Sequence, residues 1–424
     1  MSHFGVVAPG FYSHFQAFQA LAAQLLERGH QVTFFQQADA RRWLSDPRIG
    51  FRALGALSHP PGSLEASLKR AARPDNPLGL RRVINDLAAS TAMLCAELPG
   101  ALGAERIDAL LCDQMEAAGG LVAEALGLPF VSVACALPIN REPELPLAVM
   151  PFAYRTDERS LRVVEGSRKV YDWLMRPLSK VLHDASERLG VPPRDGMEHY
   201  LSPLAQISQT LHGLDFPRQH LPAHFHAVGP LRNDQHAASG QWPIDPDRPF
   251  VFASLGTLQG NRLGMFKQIA VACRALDAQL LIAHCGALNR QQEQYLLRKG
   301  ATWVTGFAPQ QWALERADAV ITHGGLNTVM DAIATCTPML VMPIAFDQPG
   351  VAARVTYRGA GVQVSRRARA GTISAQLQAV LSQPREALHR LAAELDKAGG
   401  ASRAADIVEQ VMATGRPVLA EELA

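Results

Sequence analysis

The chain predicts two α/β domains, each a doubly wound, Rossmann-like parallel sheet, facing one another across a cleft. Three observations predict this. Short apolar runs alternate with amphipathic helical patterns, as strands buried between helices require. A stretch rich in His, Pro and Gly around residues 214–242 interrupts the alternation, and beyond it the pattern restarts at Phe250. The 424 residues, 48% of them apolar, are enough for more than one core.

Taken in order, residues 4–8 read as a strand, 9–14 as a loop and 17–28 as a helix closed by Gly29. Residues 32–35, 109–112 and 130–135 are further strands, the last two joined by a helix over Ala117–Leu126 that Gly127 ends. The low-complexity patch 234–241 lies in the interruption, and the linker is set at 226–249. Phe250–Ser254 opens the second domain, followed by a loop at 255–260 and a helix at 265–276. Strands follow at 280–284, Trp303–Thr305, Ala319–Thr322 and 339–342. The organisation expected is a first domain over 1–225, the linker, a second domain over 250–400, and a terminal segment, 401–424.

Composition excludes several functions. With 41 Lys plus Arg against 39 Asp plus Glu the charge is near balance, which argues against a generic nucleic-acid partner. The 33 Gly and 28 Pro follow no G-x-y period and read as loop punctuation. Six cysteines without a CxxC pair are expected to be buried thiols rather than disulfides or a zinc site. The first residues lack the basic and apolar regions of a signal peptide, and the uninterrupted apolar runs are far shorter than a bilayer crossing needs. The expectation is a cytoplasmic protein.

Ligands of open parallel sheets bind beyond the carboxyl ends of the strands, so the loops there carry the chemistry. The most informative is Ile321-Thr322-His323-Gly324-Gly325-Leu326-Asn327-Thr328-Val329-Met330-Asp331. A strand ends, two glycines remove bulk, and a helix begins, so backbone N–H groups and the helix dipole converge on a site suited to a diphosphate. His323 and Thr328 can add donors, and Asp331 an acceptor for ribose hydroxyls; an ordinary strand-to-helix turn is the competing reading. Asp347 beside Gln348 pairs an acceptor with a donor, as adjacent sugar hydroxyls require, or else makes a solvated turn. Ser254 and Thr257, after the first strand of the second domain, are further hydroxyl donors. In the first half, His14 stands where the first loop meets its helix, placed to act as a general base near neutral pH, with Asp113 the candidate to fix its tautomer. A capping histidine and a turn aspartate are the competing readings.

The run Phe307-Ala308-Pro309-Gln310 through His323-Gly324-Gly325-Leu326-Asn327-Thr328 to Asp347-Gln348 resembles the sugar-nucleotide signature of UDP-dependent glycosyltransferases of the two-Rossmann GT-B fold. The resemblance extends over nearly the whole chain, and segments such as Ser202-Pro203-Leu204-Ala205-Gln206 look like the bacterial carotenoid glycosyltransferases among them. It implies His14 as base and Asp113 as its orienting partner. Phe307 would stack on the uracil, Ala308 would offer backbone bonds to it, and Gln310 and Asp331 would hold the ribose. His323, Gly325, Asn327 and Thr328 would bind the diphosphate, with Asp347 and Gln348 on the glucose. Ser13, Phe307, Leu326 and Asp331 depart from the Gly, Trp, Trp and Glu usual at those positions.

The resemblance further implies UDP-glucose as co-substrate, inversion at the sugar, no metal, and a hydrophobic hydroxylated acceptor in the first domain. Residues Phe11, Tyr12, Phe15 and the run 137–152 are its candidate lining, and a final helix at 404–413 would return to the first domain. Basic residues gathered over 155–180 raise peripheral contact with the inner membrane face, a solvated helix face being the competing reading. Another apolar acceptor (a sterol, flavonoid or macrolide), a sugar-nucleotide epimerase and a non-catalytic binding module are the alternatives.

Overall fold

A computed structural model describes residues 1–74, 76–232, 240 and 242–420, so most of the patch at 234–241 lies outside the described residues. The first sheet contains β1 (His3–Val7), β2 (Gln31–Gln37), β3 (Gly50–Leu54), β4 (Ala109–Asp113), β5 (Phe130–Ala134), β6 (Gln206–Ser208) and β7 (Phe225–Ala227). Its order is β3-β2-β1-β4-β5-β6-β7, parallel throughout. The second contains β8 (Phe250–Ser254), β9 (Gln279–Ala283), β10 (Trp303–Thr305), β11 (Ala319–Thr322), β12 (Met339–Val341) and β13 (Gly361–Gln363). Its order is β10-β9-β8-β11-β12-β13, again parallel. Both are doubly wound sheets. β7 runs through the expected boundary at 225, because His226 pairs with Ile207 in the first sheet.

Five helices wrap the first sheet: α1 (Tyr12–Glu27), α2 (Ser63–Ala71), α3 (Pro77–Glu105), α4 (Ala117–Leu126) and α5 (Glu158–Leu189). Alternation of side chains along each strand sends Phe4 and Val6 into one core layer and Val7 into the other. α3 is long and apolar enough by composition to cross a membrane, which a search for uninterrupted apolar runs misses because Asn85, Asp86 and Glu97 break the run. Its Ala88, Leu94, Leu98 and Leu102 are buried in the core layer it shares with α4 and the end of α5. The six cysteines are unpaired thiols, but Cys285 and Cys336 are only half-buried.

The second sheet carries α6 (Gly256–Gln259), α7 (Leu263–Ala275), α8 (Arg290–Lys299), α9 (Gln310–Arg316), α10 (Leu326–Ala334), α11 (Gln348–Tyr357), α12 (Ala370–Leu381) and α13 (Glu386–Ala398). The segment read as a loop at 255–260 thus holds a single helical turn. A last helix, α14 (Gly400–Thr414), lies against α1 in the first domain. Its Ala404, Ala405, Ile407, Val408 and Val411 complete the core layer around Phe18 and Leu21. Arg28 at the end of α1 holds Asp406 and Glu409 at 2.6 Å each.

A buried ion cluster joins the two halves. The Arg354 guanidinium of α11 donates to Asp215 at 2.5 Å and lies 4.3 Å from the Phe216 ring, while Arg218 donates to the other Asp215 oxygen at 2.7 Å. Burial alone would raise the Asp215 carboxyl, but the two guanidinium groups bring it down to about 2. Close by, a Cβ on Gly350 would overlap the Ala148 carbonyl, so backbone meets backbone where the halves touch.

Glu116 caps α4 and is buried among apolar side chains. One oxygen accepts from Thr91 at 2.8 Å and from the Ala118 N–H, and the other has no partner. Burial pushes its carboxyl up to about 7. A carboxyl raised by folding contributes full stability below its ordinary range, and that contribution is lost as pH rises toward the raised value. Glu116→Gln keeps the accepting oxygen and cannot ionise. It is expected to melt roughly 1–3 °C above the parent near pH 8, the gain shrinking toward pH 5. Calorimetry at the two pH values checks this, and an equal offset at both contradicts it.

Candidate active site

His14 sits in the first turn of α1 rather than in the preceding loop. Phe11, the N-cap, offers no side-chain bond, and its carbonyl instead accepts the His14 and Phe15 N–H groups at 3.2 and 3.1 Å. β1 and β4 are paired neighbours, which brings the start of α1 beside Asp113 at the end of β4. His14 Nδ1 lies 2.6 Å from Asp113 Oδ2, and Asp113 Oδ1 accepts the Met115 N–H at 2.8 Å. A carboxylate can only accept, so Nδ1 carries the proton and Nε2 keeps its lone pair. Burial pulls the imidazole pKa down, but the charge and hydrogen bond of Asp113, with the charge of Asp347, outweigh it and leave the net value above the ordinary one.

Cys135 completes this corner, with ligand-type atoms of His14, Asp113 and Cys135 all within 4.8 Å of one another. Burial and the Asp113 charge hold its thiol well above the usual range. Gln114, next to Asp113, donates to the Leu137 carbonyl at 2.8 Å and accepts the Ile139 N–H at 3.1 Å. It thereby pins the start of the loop after β5.

The second half presents its own loops. After β11, Gly324 takes φ +84°, a backbone state natural to glycine. The His323 ring lies between Gly256 and Gly325, where a Cβ on either would stand 2.7 Å from it. Burial pulls the His323 imidazole down to about 4, so near neutrality it is an uncharged donor. Gln310 Nε2 donates to Asp331 at 2.6 Å, and the Thr328 hydroxyl donates to Gln310 Oε1 at 3.4 Å. Arg232, from the linker, donates to Asn327 Oδ1 at 3.3 Å and to the other Asp331 oxygen at 3.2 Å. Ser254 is buried at the end of β8, whereas Thr257 is exposed and Ala308 half-buried. The Phe307 ring is 72% exposed, an open flat surface beside Gly286.

Asp347 and Gln348 connect the two corners. Gln348 Oε1 accepts the N–H groups of Ile344 and Ala345 at 3.0 and 2.9 Å, which leaves its NH₂ to donate elsewhere. Asp347 Oδ2 accepts the Leu137 N–H of the first domain at 3.3 Å. Burial raises the Asp347 carboxyl, partly offset by that N–H and by His14. Phe346, at φ +56°, packs edge-on against Phe11 with centroids 6.2 Å apart, and Phe11 lies 5.8 Å from the His14 ring. An apolar shelf therefore roofs the imidazole. Phe15 does not belong to it, because it is fully buried against Phe34 and Trp43.

His14, Asp113, Asp347 and Gln348 thus meet at one gap, with the glycine loop after β11 alongside. Sequence reasoning passed over Arg232, Gln114 and Cys135. Arg232 borders a low-complexity segment with no periodic signal, and the other two are visible only once strand ends are brought together in space.

Residues 81–395 match the model of the family described as UDP-glucoronosyl and UDP-glucosyl transferase. The chain is 50% identical to a zeaxanthin glucosyltransferase of Pantoea ananas, over 99% of this chain and 98% of that one. It is 46% identical to a zeaxanthin glucosyltransferase of Pseudescherichia vulneris, over 99% and 100%. Among solved structures it superimposes on the glycotransferase of kitacinnamycin with TM-score 0.76 at 22% identity, covering 96% of this chain and 98% of that one. It also superimposes on the calicheamicin glycosyltransferase CalG4 with TM-score 0.73 at 19% identity, covering 98% and 100%.

Replacing Asp113 by Asn leaves His14 as buried as before but removes the largest influence raising its pKa. NMR titration of the His14 ring is expected to place its midpoint above the ordinary imidazole value in the parent protein and clearly lower in Asp113→Asn. Equal midpoints in the two proteins would contradict the electrostatics described.

Proposed function

The chain belongs to the UDP-glucoronosyl and UDP-glucosyl transferase family and is a glycosyltransferase; we propose that it moves glucose from UDP-glucose to the hydroxyls of zeaxanthin with inversion at the sugar. The observation that carries the mechanism is the oriented His14–Asp113 pair facing Asp347 across the gap between the domains. An epimerase has no need of an acceptor-side base under an apolar roof, and a binding module has no need of an oriented one.

In this reading the acceptor hydroxyl lies at His14 Nε2 beneath the Phe11–Phe346 shelf. Its oxygen attacks the anomeric carbon as Nε2 takes the proton, and Asp113 stabilises the imidazolium that forms. The bond from the anomeric carbon to the diphosphate oxygen breaks on the opposite side, and its electron pair leaves with UDP. Asp347 and the Gln348 NH₂ hold the sugar hydroxyls. Phe307 stacks on the base, Ala308 bonds it through backbone, and Gln310 with Asp331 reads the ribose. The backbone at Gly325, the side chains of His323, Asn327 and Thr328, and the hydroxyls of Ser254 and Thr257 receive the diphosphate. Because His323 is uncharged, positive charge for the departing UDP comes from the α10 N-terminus and from Arg232.

No metal enters this scheme. In it the Asp113 oxygens serve His14 and Met115. A polyene alcohol dissolves in lipid and UDP-glucose in water, so the proposed reaction belongs at a membrane surface, and this reading takes that surface to be the cytoplasmic one.

Incubation with UDP-glucose and zeaxanthin, followed by mass analysis of the pigment, is expected to add hexose; an unchanged pigment with intact UDP-glucose contradicts the acceptor assignment. His14→Ala is expected to lower kcat by roughly 10²–10⁴ while UDP still binds, as steady-state kinetics and calorimetry would record. Arg232→Gln is expected to weaken UDP binding by roughly tenfold, the worth of a charge-assisted hydrogen bond.

A further inference from the structure

We infer that the outward face of α5 docks the enzyme onto an anionic lipid surface. The inference rests on the lipid-soluble acceptor proposed above. It is carried by the helix itself. Val163, Val170 and Trp173 are 47%, 55% and 59% exposed, which is unusual for three large apolar side chains on one helix. At 3.6 residues per turn they fall within an arc of about 80°. Beside that arc, Arg162, Lys169, Arg176 and Lys180 form an adjoining stripe of exposed cations.

Over residues 158–180 the charge on this face is net positive, with the exposed Asp184 and Glu187 standing beyond it toward the end of α5. Arg162 and Lys169 pair with Glu158 and Glu165 on the same helix, and Asp172 pairs with Arg141. Arg159, Arg176 and Lys180 take part in no ion pair among the described residues and remain available to phosphate headgroups. An exposed tryptophan and small aliphatic residues flanked by cations is the pattern of a helix lying in the interface plane, its rings at headgroup level and its cations on the phosphates. An acidic protein surface would satisfy the cations but not the exposed apolar row.

Position gives the face a use. On its other sides α5 sends Leu178 and Leu182 into the core, and Arg168 donates to the carbonyls of Glu142 and Leu145, the latter at 2.8 Å. Those carbonyls belong to the loop that starts at Leu137, whose N–H meets Asp347. One helix thus holds the docking face and braces the loop bordering the acceptor side of the gap. A bilayer touching α5 brings lipid-dissolved acceptor beside that loop.

The test is co-sedimentation of the full chain with vesicles of phosphatidylcholine alone and of phosphatidylcholine with phosphatidylglycerol. The protein is expected to bind the second, to be released by added salt, and to bind roughly tenfold more weakly as Val170→Ser/Trp173→Ser or as Arg176→Gln/Lys180→Gln. These positions are exposed, so unchanged melting confirms intact folding. Protein that stays in the supernatant with the anionic vesicles, or variants that sediment as the parent does, overturn the inference. The Val170→Ser/Trp173→Ser protein is expected to glucosylate zeaxanthin at the parental rate in detergent micelles and more slowly from vesicles. If neither protein glucosylates it in micelles the acceptor reading fails, while the sedimentation still decides the docking.

Discussion

The contact between Asp215 and Arg354 decides where everything else in the gap lies. Two opposite charges taken out of water gain little overall as a pair, but removing one partner leaves the other stranded at high cost. The halves are therefore held in a particular approach rather than merely attracted. Arg354 lies on α11, which Asp347 and Gln348 begin, and Asp215 lies between β6 and β7 of the first domain. The ion pair thus sets the distance between Asp347 with Gln348 and the imidazole. Gly350 against the Ala148 carbonyl reinforces this, since main chain meeting main chain leaves no flexible side chain to absorb a misfit.

Within that approach the two acidic groups near His14 play opposite parts. Asp113 is fixed by the Met115 N–H and orients the ring. Asp347 is shared between the first domain's Leu137 N–H and the space where a sugar would lie. Its charge acts on His14 from the other side of the gap, so the imidazole is tuned partly by the second domain. In the proposed mechanism, a sugar hydroxyl taking up Asp347 would change the surroundings of His14, coupling donor occupancy to readiness for proton transfer.

Much of this was legible in the residues. Strands buried on both faces, such as β8 and β11, are continuous apolar runs with clear ends, and their limits were read as observed. The short or polar edge strands, Gly50–Leu54 and Gly361–Gln363, carry no such signature and went unread, as did β7, through which the linker boundary was drawn. α5 is legible only as a solvated helix face without limits, because charged residues and Pro177 interrupt its pattern, although Asp157 caps it. The double glycine after Ile321 announced its loop without help from the fold. The placement of His14 was misread by a few residues because Phe11 gives no capping signal. Arg232 and Cys135 acquire their neighbours only through tertiary contacts, which no spacing along the chain encodes.

α14 carries a consequence for synthesis. Its Ile407, Val408 and Val411 fill the core layer beside α1, so the amino-terminal sheet has an open flank until the far end of the polypeptide is made. Nascent chains ordinarily fold domain by domain as they emerge from the ribosome. Here the earliest-made half must wait, partly unsealed, for translation to pass residue 411. Its exposed apolar flank is a natural target for chaperones during that interval.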